Sequence, residues 1–398
     1  MTRSRIALPE PLAPARLAPL GLGFRPFFLL AGAAAVVLLA AWLLFYTGRM
    51  APPAYYDLFT WHGHEMVFGY TAAVIAGFLL TAVRNWTGVP TPTGAPLAAL
   101  ALLWLAGRLV ALPPWGLPGW AIASVDLAFL PALAAALARP LLQQPQARQV
   151  VFLPLLVALA AANALVHLQM LGVTVATARP GLRFGVDVIV LVIAVIGGRV
   201  LPVFTQRGVG AQPRQWPAIE WAVALSTGGV AVADLLTAPP ALLGPLAAAA
   251  ALAHAARLWG WYDHRIWRVP LLWVLHLGYA WLVVGFALLA SACAGLVIAQ
   301  PALHALTVGA IGVLTLGMMA RVALGHSGRP LQAAPSIALA FGLLNAAAVV
   351  RVFAAAALPA WYTQAVVAAG LLWIAAFALF TTVYAPILLR ARADGQPG

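Results

Sequence analysis

Lysine is absent from this 398-residue sequence, so all 22 basic residues are arginine. Charged residues are also scarce, at 8% of the chain against about 25% in soluble domains. Hydrophobic residues make up 64% of the chain, and the mean hydropathy is +0.97. Apolar runs of about 20 residues recur from end to end. This composition excludes a soluble domain and predicts an all-α, polytopic membrane protein in contact with the lipid bilayer.

Other features that the sequence lacks exclude several classes of function. The one cysteine, Cys293, excludes an internal disulfide. The net charge of +13 does not indicate a nucleic-acid partner, because the arginines punctuate apolar runs and do not alternate with aromatic residues. Residues 1–25 hold no continuous apolar stretch, so no removable signal peptide is predicted. Neither a hydrolase triad nor a zinc-protease motif is apparent.

Twelve apolar segments predict about twelve transmembrane helices. Residues 1–25 and 389–398 are predicted tails, and 26–388 form a single transmembrane domain. The predicted spans are 26–46, 61–83, 95–112, 119–138, 149–171, 183–204, 217–236, 240–259, 271–297, 301–323, 333–352 and 363–388. Spans 3 and 4 flank a turn rich in proline and glycine at 113–119.

The arginines predict the orientation. With the N-terminus in the cytoplasm, sixteen of the 22 arginines fall on the cytoplasmic side and five on the other, while Arg199 lies within a span. Such a bias is typical of the positive-inside rule. We therefore expect an inner-membrane protein with both termini cytoplasmic. Spans 2, 6 and 10 end on Arg84, Arg199 and Arg321, which suggests three four-helix quasi-repeats, although the positive-inside rule alone explains the same endings.

Three ionisable residues, His62, His64 and Glu65, open the second span at the predicted outer side. Ionisable groups at the head of an apolar span are costly and usually functional. Imidazole suits copper, iron and zinc, and an adjacent carboxylate can orient a ligating ring. Residues two apart on a regular helix point about 200° apart. His62 and His64 therefore share one ion only if the backbone near Gly63 is irregular. The alternative is a pair of interfacial histidines bonded to water and headgroups.

Further polar residues lie at the same predicted depth. His304 opens span 10, and Asn163 and His167 share a face of span 5. Asp126 and Asp187 are candidate acceptors for these histidine rings or for Arg108 and Arg183. We predict that His62 or His64 converges with His304 on one metal site, with Glu65 as a supporting carboxylate and His167 as a third ligand. Interhelical hydrogen bonding is an equal alternative for His304 and His167.

Arg199 and Arg321 lie at the predicted inner side, where a guanidinium group can clamp a carboxylate such as a haem propionate. We predict that both face the bundle, against the alternative that they extend to the lipid headgroups. His276, at similar depth, completes the candidate cofactor-binding residues on this side. His254 and His264 are predicted to be ordinary polar residues at the boundary of the membrane.

Several motifs together resemble the NnrS family of bacterial membrane proteins. They include Gly23–Phe28, Trp61–Met66, Ala76–Val83, Asn85–Gly88, Gly197–Val200, Leu272–Trp281, His304–Ala310 and Leu324–Pro330, with Asn163, His167, Asp187 and Arg321 between them. They cover nearly the whole chain. Two positions depart from the family pattern: Gly63, where alanine is usual, and Gln206-Arg207, where Arg-Asn is more common.

The resemblance implies a twelve-span protein that holds haem and copper and acts in nitric oxide metabolism and the response to nitrosative stress, including denitrifying conditions. It implies no settled reaction, and it leaves open whether the protein is an enzyme. The opposing hypothesis is a transporter or permease for a metal, haem or small solute, which twelve spans with internal repeats also suit. A permease should line a path through both leaflets with polar residues.

Overall fold

The computed structural model describes residues 17–112, 115–143 and 147–396. Every regular element in these ranges is a helix, and one isolated bridge pairs Leu17 with Arg390. The prediction of an all-α polytopic membrane protein is therefore confirmed. Most of the predicted N-terminal tail (1–16), part of the turn between spans 3 and 4 (113–114) and the last two residues of the C-terminal tail lie outside the described residues.

Twelve helices follow one another through the described ranges: α1 Phe24–Tyr46, α2 Leu58–Thr87, α3 Gly94–Leu109, α4 Gly119–Leu142, α5 Phe152–Met170, α6 Ala178–Val209, α7 Pro217–Leu235, α8 Pro240–Trp261, α9 Pro270–Cys293, α10 Gln300–His326, α11 Pro335–Ala357 and α12 Tyr362–Leu389. Short 3₁₀ segments lie in the connections at Ala147–Gln149, His264–Arg268 and Pro359–Trp361. Proline opens α7, α8, α9 and α11, where its missing N–H costs nothing.

Eleven of these helices are long and apolar enough to cross a membrane. The exception is α3, whose 16 residues extend about 24 Å, less than the roughly 30 Å of a bilayer core. The chain leaves α2 and α6 through Gly88 and Gly210, both in the left-handed conformation with φ of 70° and 66°. Glycine adopts this conformation without strain and commonly ends helices.

Three helices form the centre of the bundle. Helices α2, α6 and α10 contact one another pairwise, helices that follow each other in the chain pack together, and α12 packs against α1. In the most apolar stretch, 89% of α2 and 78% of α10 are buried, against 61% of α9, 56% of α6 and 39% of α4, α5, α11 and α12. Spans 2, 6 and 10 thus contact one another, as three quasi-repeats about one axis require. Superposition of the three units stays a prediction.

The first and last helices are joined by a buried arginine. Arg25, at the start of α1, donates to the carbonyls of Ile387 and Leu388, each at 3.3 Å, and to that of Arg390. These carbonyls lie at the end of α12, where the helix itself offers them no donor. The side chain of Arg25 is therefore part of the packing that closes the bundle.

Three π-helical segments interrupt the helices: Glu65–Thr71 in α2, Ala305–Gly312 in α10 and Val350–Ala354 in α11. Such segments are rare and occur frequently at functional sites. Each of the three includes or directly follows an ionisable residue at the predicted outer side, namely Glu65, His304 or Arg351. The π-helical segments therefore indicate a functional site on the predicted outer side of the bundle.

Candidate metal centre

Six polar side chains from four consecutive helices meet at the predicted outer side, near the start of α2. We call them the His64 cluster: His64 and Glu65 of α2, Arg108 of α3, Asp126 of α4, and Asn163 and His167 of α5. None of these side chains is more than about a tenth exposed. Burial of so many polar groups requires that they satisfy one another.

The local structure of α2 decides which histidine joins this cluster. The Asp57 carboxylate caps the helix by accepting from the backbone N–H groups of Phe59 and Thr60, and the helix is regular from Leu58 to His64. Because the backbone at Gly63 is regular, His62 and His64 project in different directions. The structure therefore does not bring His62 and His64 together on one ion.

The acceptor Asp126 Oδ2 is the geometric centre of the cluster. His64 Nε2 lies 3.1 Å from it and His167 Nε2 lies 3.0 Å from it. The Asn163 amide nitrogen donates to the same oxygen at 2.7 Å. The ligand atoms of His64, Asp126 and His167 lie within 4.8 Å of one another, so a single ion between them could bind all three.

The hydrogen bonds around His64 leave its Nε2 atom facing oxygen acceptors. Its Nδ1 lies 3.2 Å from a Glu65 carboxylate oxygen, which can only accept from an N–H. In the neutral ring Nε2 then carries a lone pair, yet it faces Asp126 Oδ2 and, at 3.1 Å, Asn163 Oδ1. The Asn163 amide cannot turn round without losing its own bond to Asp126. The Tyr56 hydroxyl, 3.4 Å from Nε2, can donate to this lone pair. A cation at Nε2, either a metal ion or a proton, would offset the repulsion from the two oxygen atoms.

The fixed charges of the cluster also favour a cation. Two carboxylates, Glu65 and Asp126, face one guanidinium group, that of Arg108, whose Nε lies 3.4 Å from Glu65 Oε2 and whose Nη2 contacts Asp126 Oδ1. Glycines make room for these groups: a Cβ at Gly69 would lie 2.7 Å from Arg108 Nη1, and one at Gly107 would lie 2.9 Å from Asp126 Oδ1. With neutral histidines the cluster carries a net charge of −1.

Two tyrosines of the loop before α2 cover the cluster. Tyr55 Oη lies 2.9 Å from His167 Nδ1, and Tyr56 Oη lies 3.4 Å from His64 Nε2. Burial raises the pKa of Tyr55 to about 12 and raises the pKa of Tyr56 well above its ordinary value, so both hydroxyls keep their protons at neutral pH. Since a hydroxyl both donates and accepts, Tyr55 can support either tautomer of His167, including the one that frees Nε2 for a metal.

The remaining two predicted metal ligands lie in a separate group. The ring of His62 stacks on Trp42 of α1 at 4.2 Å, and its buried Nδ1 has no hydrogen-bond partner among the described residues. His304 is an electrostatic neighbour of His62 and of Arg351, and its Nδ1 lies 3.0 Å from the Gln300 carbonyl. His62 thus lies within electrostatic range of His304, whereas His167 contacts Asp126 together with His64.

The candidate residues of the predicted inner side do not form a common site. Both ring nitrogens of His276 are engaged, one with the Leu272 carbonyl at 3.0 Å and the other with the Thr205 hydroxyl at 3.3 Å. Arg199 is partly exposed and donates to the Arg148 carbonyl at 2.6 Å. Arg321 is buried, with its guanidinium group 3.9 Å from the centre of the Phe204 ring.

Asp187 of α6 lies apart from the histidines. It is buried, and its Oδ2 atom has no hydrogen-bond partner among the described residues. Its electrostatic neighbours are Arg183 and Asp234, which form an ion pair with 3.5 Å between Nη1 and Oδ1. Asp187 therefore does not accept from any of the candidate histidine ligands.

Sequence reasoning missed a second buried network on the predicted inner side. His254 is fully buried, with Nδ1 at 2.7 Å from Tyr279 Oη and Nε2 at 3.0 Å from the Thr227 hydroxyl. Arg257 donates to Tyr279 at 3.1 Å and pairs with Glu220. The prediction that His254 is an ordinary boundary residue was wrong, since its partners lie on other helices. For His264, whose side chain is 82% exposed, the prediction is confirmed.

Comparison with known proteins gives the family. No curated protein matches the chain. The sequence model of the family described as NnrS protein matches residues 18–392, nearly the whole chain and every helix described above. The chain therefore belongs to the NnrS family.

Proposed function

We propose that this nitric oxide-linked membrane protein binds a redox-active metal ion, copper being the one that the family resemblance implies, in the His64 cluster. The single observation that carries the proposal is His64 Nε2, which faces two oxygen acceptors while its Nδ1 is committed to Glu65. Two imidazoles and a carboxylate form a donor set that suits copper, iron and zinc. The net negative charge of the cluster supports a bound cation.

The residues have separate tasks in this proposal. His64, His167 and Asp126 supply the ligand atoms, while Glu65 orients the ring of His64 and increases its basicity. Arg108 offsets one of the two buried carboxylate charges. When His167 binds the ion through Nε2, its Nδ1–H donates to the hydroxyl of Tyr55. A copper ion held there would supply one-electron chemistry near the membrane surface, in keeping with a role in the response to nitrosative stress.

Haem, the second cofactor implied by the resemblance, has a different candidate place. His62 and His304 come from two helices, lie within electrostatic range of each other, and have Arg351 as a cationic neighbour. The Nδ1 atom of His62 has no hydrogen-bond partner among the described residues, and His304 contacts the Gln300 carbonyl through Nδ1. A guanidinium group is a good partner for a propionate. We propose these three residues, in place of Arg199, Arg321 and His276, as the haem-binding group.

The central experiment is metal analysis of purified variants. We expect His64→Ala and His167→Ala to lose stoichiometric copper, since each removes one imidazole ligand. His264→Ala is the matched control, because this side chain is exposed and far from the cluster, and it should retain the metal. If wild-type protein loaded with copper and the two ligand variants hold equal amounts, the ion is not in the cluster and the cation at His64 is a proton.

The transporter hypothesis has less support. A path for an ion or polar solute would need polar groups between the His64 cluster and the inner network of His254 and Arg257. The described residues around the centre of α2, α6 and α10 are mainly apolar, and the hydroxyls there are bonded elsewhere. A charged solute would lose its hydration in this layer without compensation.

We propose that the protein lies in the bacterial inner membrane with both termini in the cytoplasm, on the strength of the arginine distribution. A green fluorescent protein fused to the C-terminus should then fluoresce, and an alkaline phosphatase fused there should be inactive. Active phosphatase at the C-terminus would reverse the orientation.

A further inference from the structure

A partly open cavity of about 70 Å³ lies where α2, α6 and α10 meet. Phe28 of α1 and Tyr279 of α9 complete its wall. Of the α2 residues that line the cavity, Thr71 is the nearest to His64 in the chain. It follows His64 by seven positions, which corresponds to about 10 Å along the helix axis. The cavity is thus separate from the His64 cluster and from the His62–His304 pair.

The hydroxyl groups in the wall of this cavity are all hydrogen-bonded to other groups of the protein. Its only side-chain heteroatoms able to form conventional hydrogen bonds are the hydroxyls of Thr71, Thr315 and Tyr279. Thr71 donates to the Met66 carbonyl at 2.7 Å, and Thr315 donates to the Ile311 carbonyl at 2.6 Å. Tyr279 is engaged with His254 and Arg257. The other lining residues are valine, isoleucine, leucine, phenylalanine, methionine and glycine.

Such a space is unsuitable for water. A buried water needs about 10–15 Å³ and two to four polar partners. The volume is several times larger than this, but the three hydroxyl groups of the wall are already engaged with other groups, and the rest of the wall is apolar. Cavities with apolar walls stay dry and accept apolar guests such as xenon. An ion would be excluded by the cost of its desolvation.

From these observations we infer that the central cavity is a binding site for a small, uncharged, apolar molecule of a few heavy atoms. Such a molecule dissolves in the hydrocarbon core of the bilayer and so reaches the depth of the cavity without crossing charged groups. The position where the three central helices meet also means that an occupant touches all three. The site is independent of the proposed metal centre.

Xenon is a suitable probe, and its binding to detergent-solubilised protein can be followed by ¹²⁹Xe NMR. Val192 of α6 lines the cavity and is 6% exposed, so Val192→Phe should fill the space and weaken xenon binding at least tenfold. Val203 of the same helix is 38% exposed, so Val203→Phe is the matched control and should bind xenon as wild type does. Both samples carry the same micelle background.

The thermal midpoint gives a second measurement. Phenylalanine placed in empty space leaves Tm unchanged or raises it, whereas the same change in a close-packed core is destabilising. Val74→Phe fills the cavity from the opposite wall, on α2, and should behave like Val192→Phe. Copper content should stay at the wild-type level in all three variants. Xenon binding equal in wild type and Val192→Phe, or loss of folding in both filling variants, would overturn the inference.

Discussion

His64 Nε2 lies 3.1 Å from Asp126 Oδ2, although the two residues are 62 positions apart in the chain. The contact joins α2 to α4 and places an imidazole nitrogen against a carboxylate in a setting with almost no water. A neutral ring whose other nitrogen donates to Glu65 gains nothing from this contact. The four helices therefore enclose a site that a cation between His64 Nε2 and Asp126 Oδ2 would stabilise.

Replacing Glu65 with glutamine tests the supporting role of its carboxylate. A neutral amide still accepts from His64 Nδ1 but polarises the ring less, so we expect metal affinity to fall by about 10–100-fold. Titration against a competing chelator measures the change. Glu220→Gln is a matched control, because Glu220 pairs with Arg257 on the other side of the membrane. Equal affinities for Glu65→Gln and wild type would show that Glu65 does not support the ligand.

Removal of the Asp126 charge tests whether the ion pair with Arg108 stabilises the cluster. In metal-free protein, Asp126→Asn leaves the buried Arg108 with only the longer contact to Glu65. Breaking one side of a buried ion pair costs about 3–5 kcal/mol, so we expect a clear fall in the thermal midpoint. Adding Arg108→Met should restore part of the loss, because the unpaired charge is then gone. If the double variant is no more stable than Asp126→Asn, the charge pair is not what stabilises the cluster.

Much of the fold could be predicted because the bilayer sets the length of a helix and proline and glycine mark many ends. Eleven predicted spans overlap helices long enough to cross, and α3 is the short exception. Residues of the site could be singled out as well, since His64, Glu65, Asp126, Asn163 and His167 are ionisable or amide groups in apolar spans. Their rarity in such sequence is a strong signal.

The pairing of these residues could not be predicted. Sequence gives the depth of a residue but not the rotation of its helix, so His304 appeared equally suited to His62 and His64. The regular backbone at Gly63 separates the two histidines, and α5 supplies His167 to only one of them. His254 was misjudged for the same reason, because Tyr279 lies 25 positions away on α9.

The pH dependence of stability should report on Tyr55. Its folded-state pKa of about 12 exceeds its ordinary value, so it stabilises the folded state below about pH 10, and this contribution is lost as pH rises through about 12. The chain has no lysine but has eight tyrosines, so the contribution of Tyr55 is read from the difference between wild type and Tyr55→Phe. We expect the thermal midpoint of wild type to fall between about pH 10 and 12, and less steeply in Tyr55→Phe. Tyr262→Phe, an exposed change, should follow wild type; identical profiles for all three would contradict the prediction.

Haem binding should depend on the histidines that the His64 cluster does not use. His62→Ala and His304→Ala each remove an imidazole from the pair near Arg351, so we expect both to lose the Soret band while keeping their copper. His64→Ala should show the opposite pattern, because its ring faces Asp126 and His167. His276→Ala is the informative comparison: both nitrogens of His276 already have protein partners, so its loss should leave the Soret band in place. If the Soret band survives in His62→Ala and His304→Ala but disappears in His276→Ala, the haem lies on the predicted inner side. If wild-type protein has no Soret band, the protein does not bind haem and this part of the proposal is wrong.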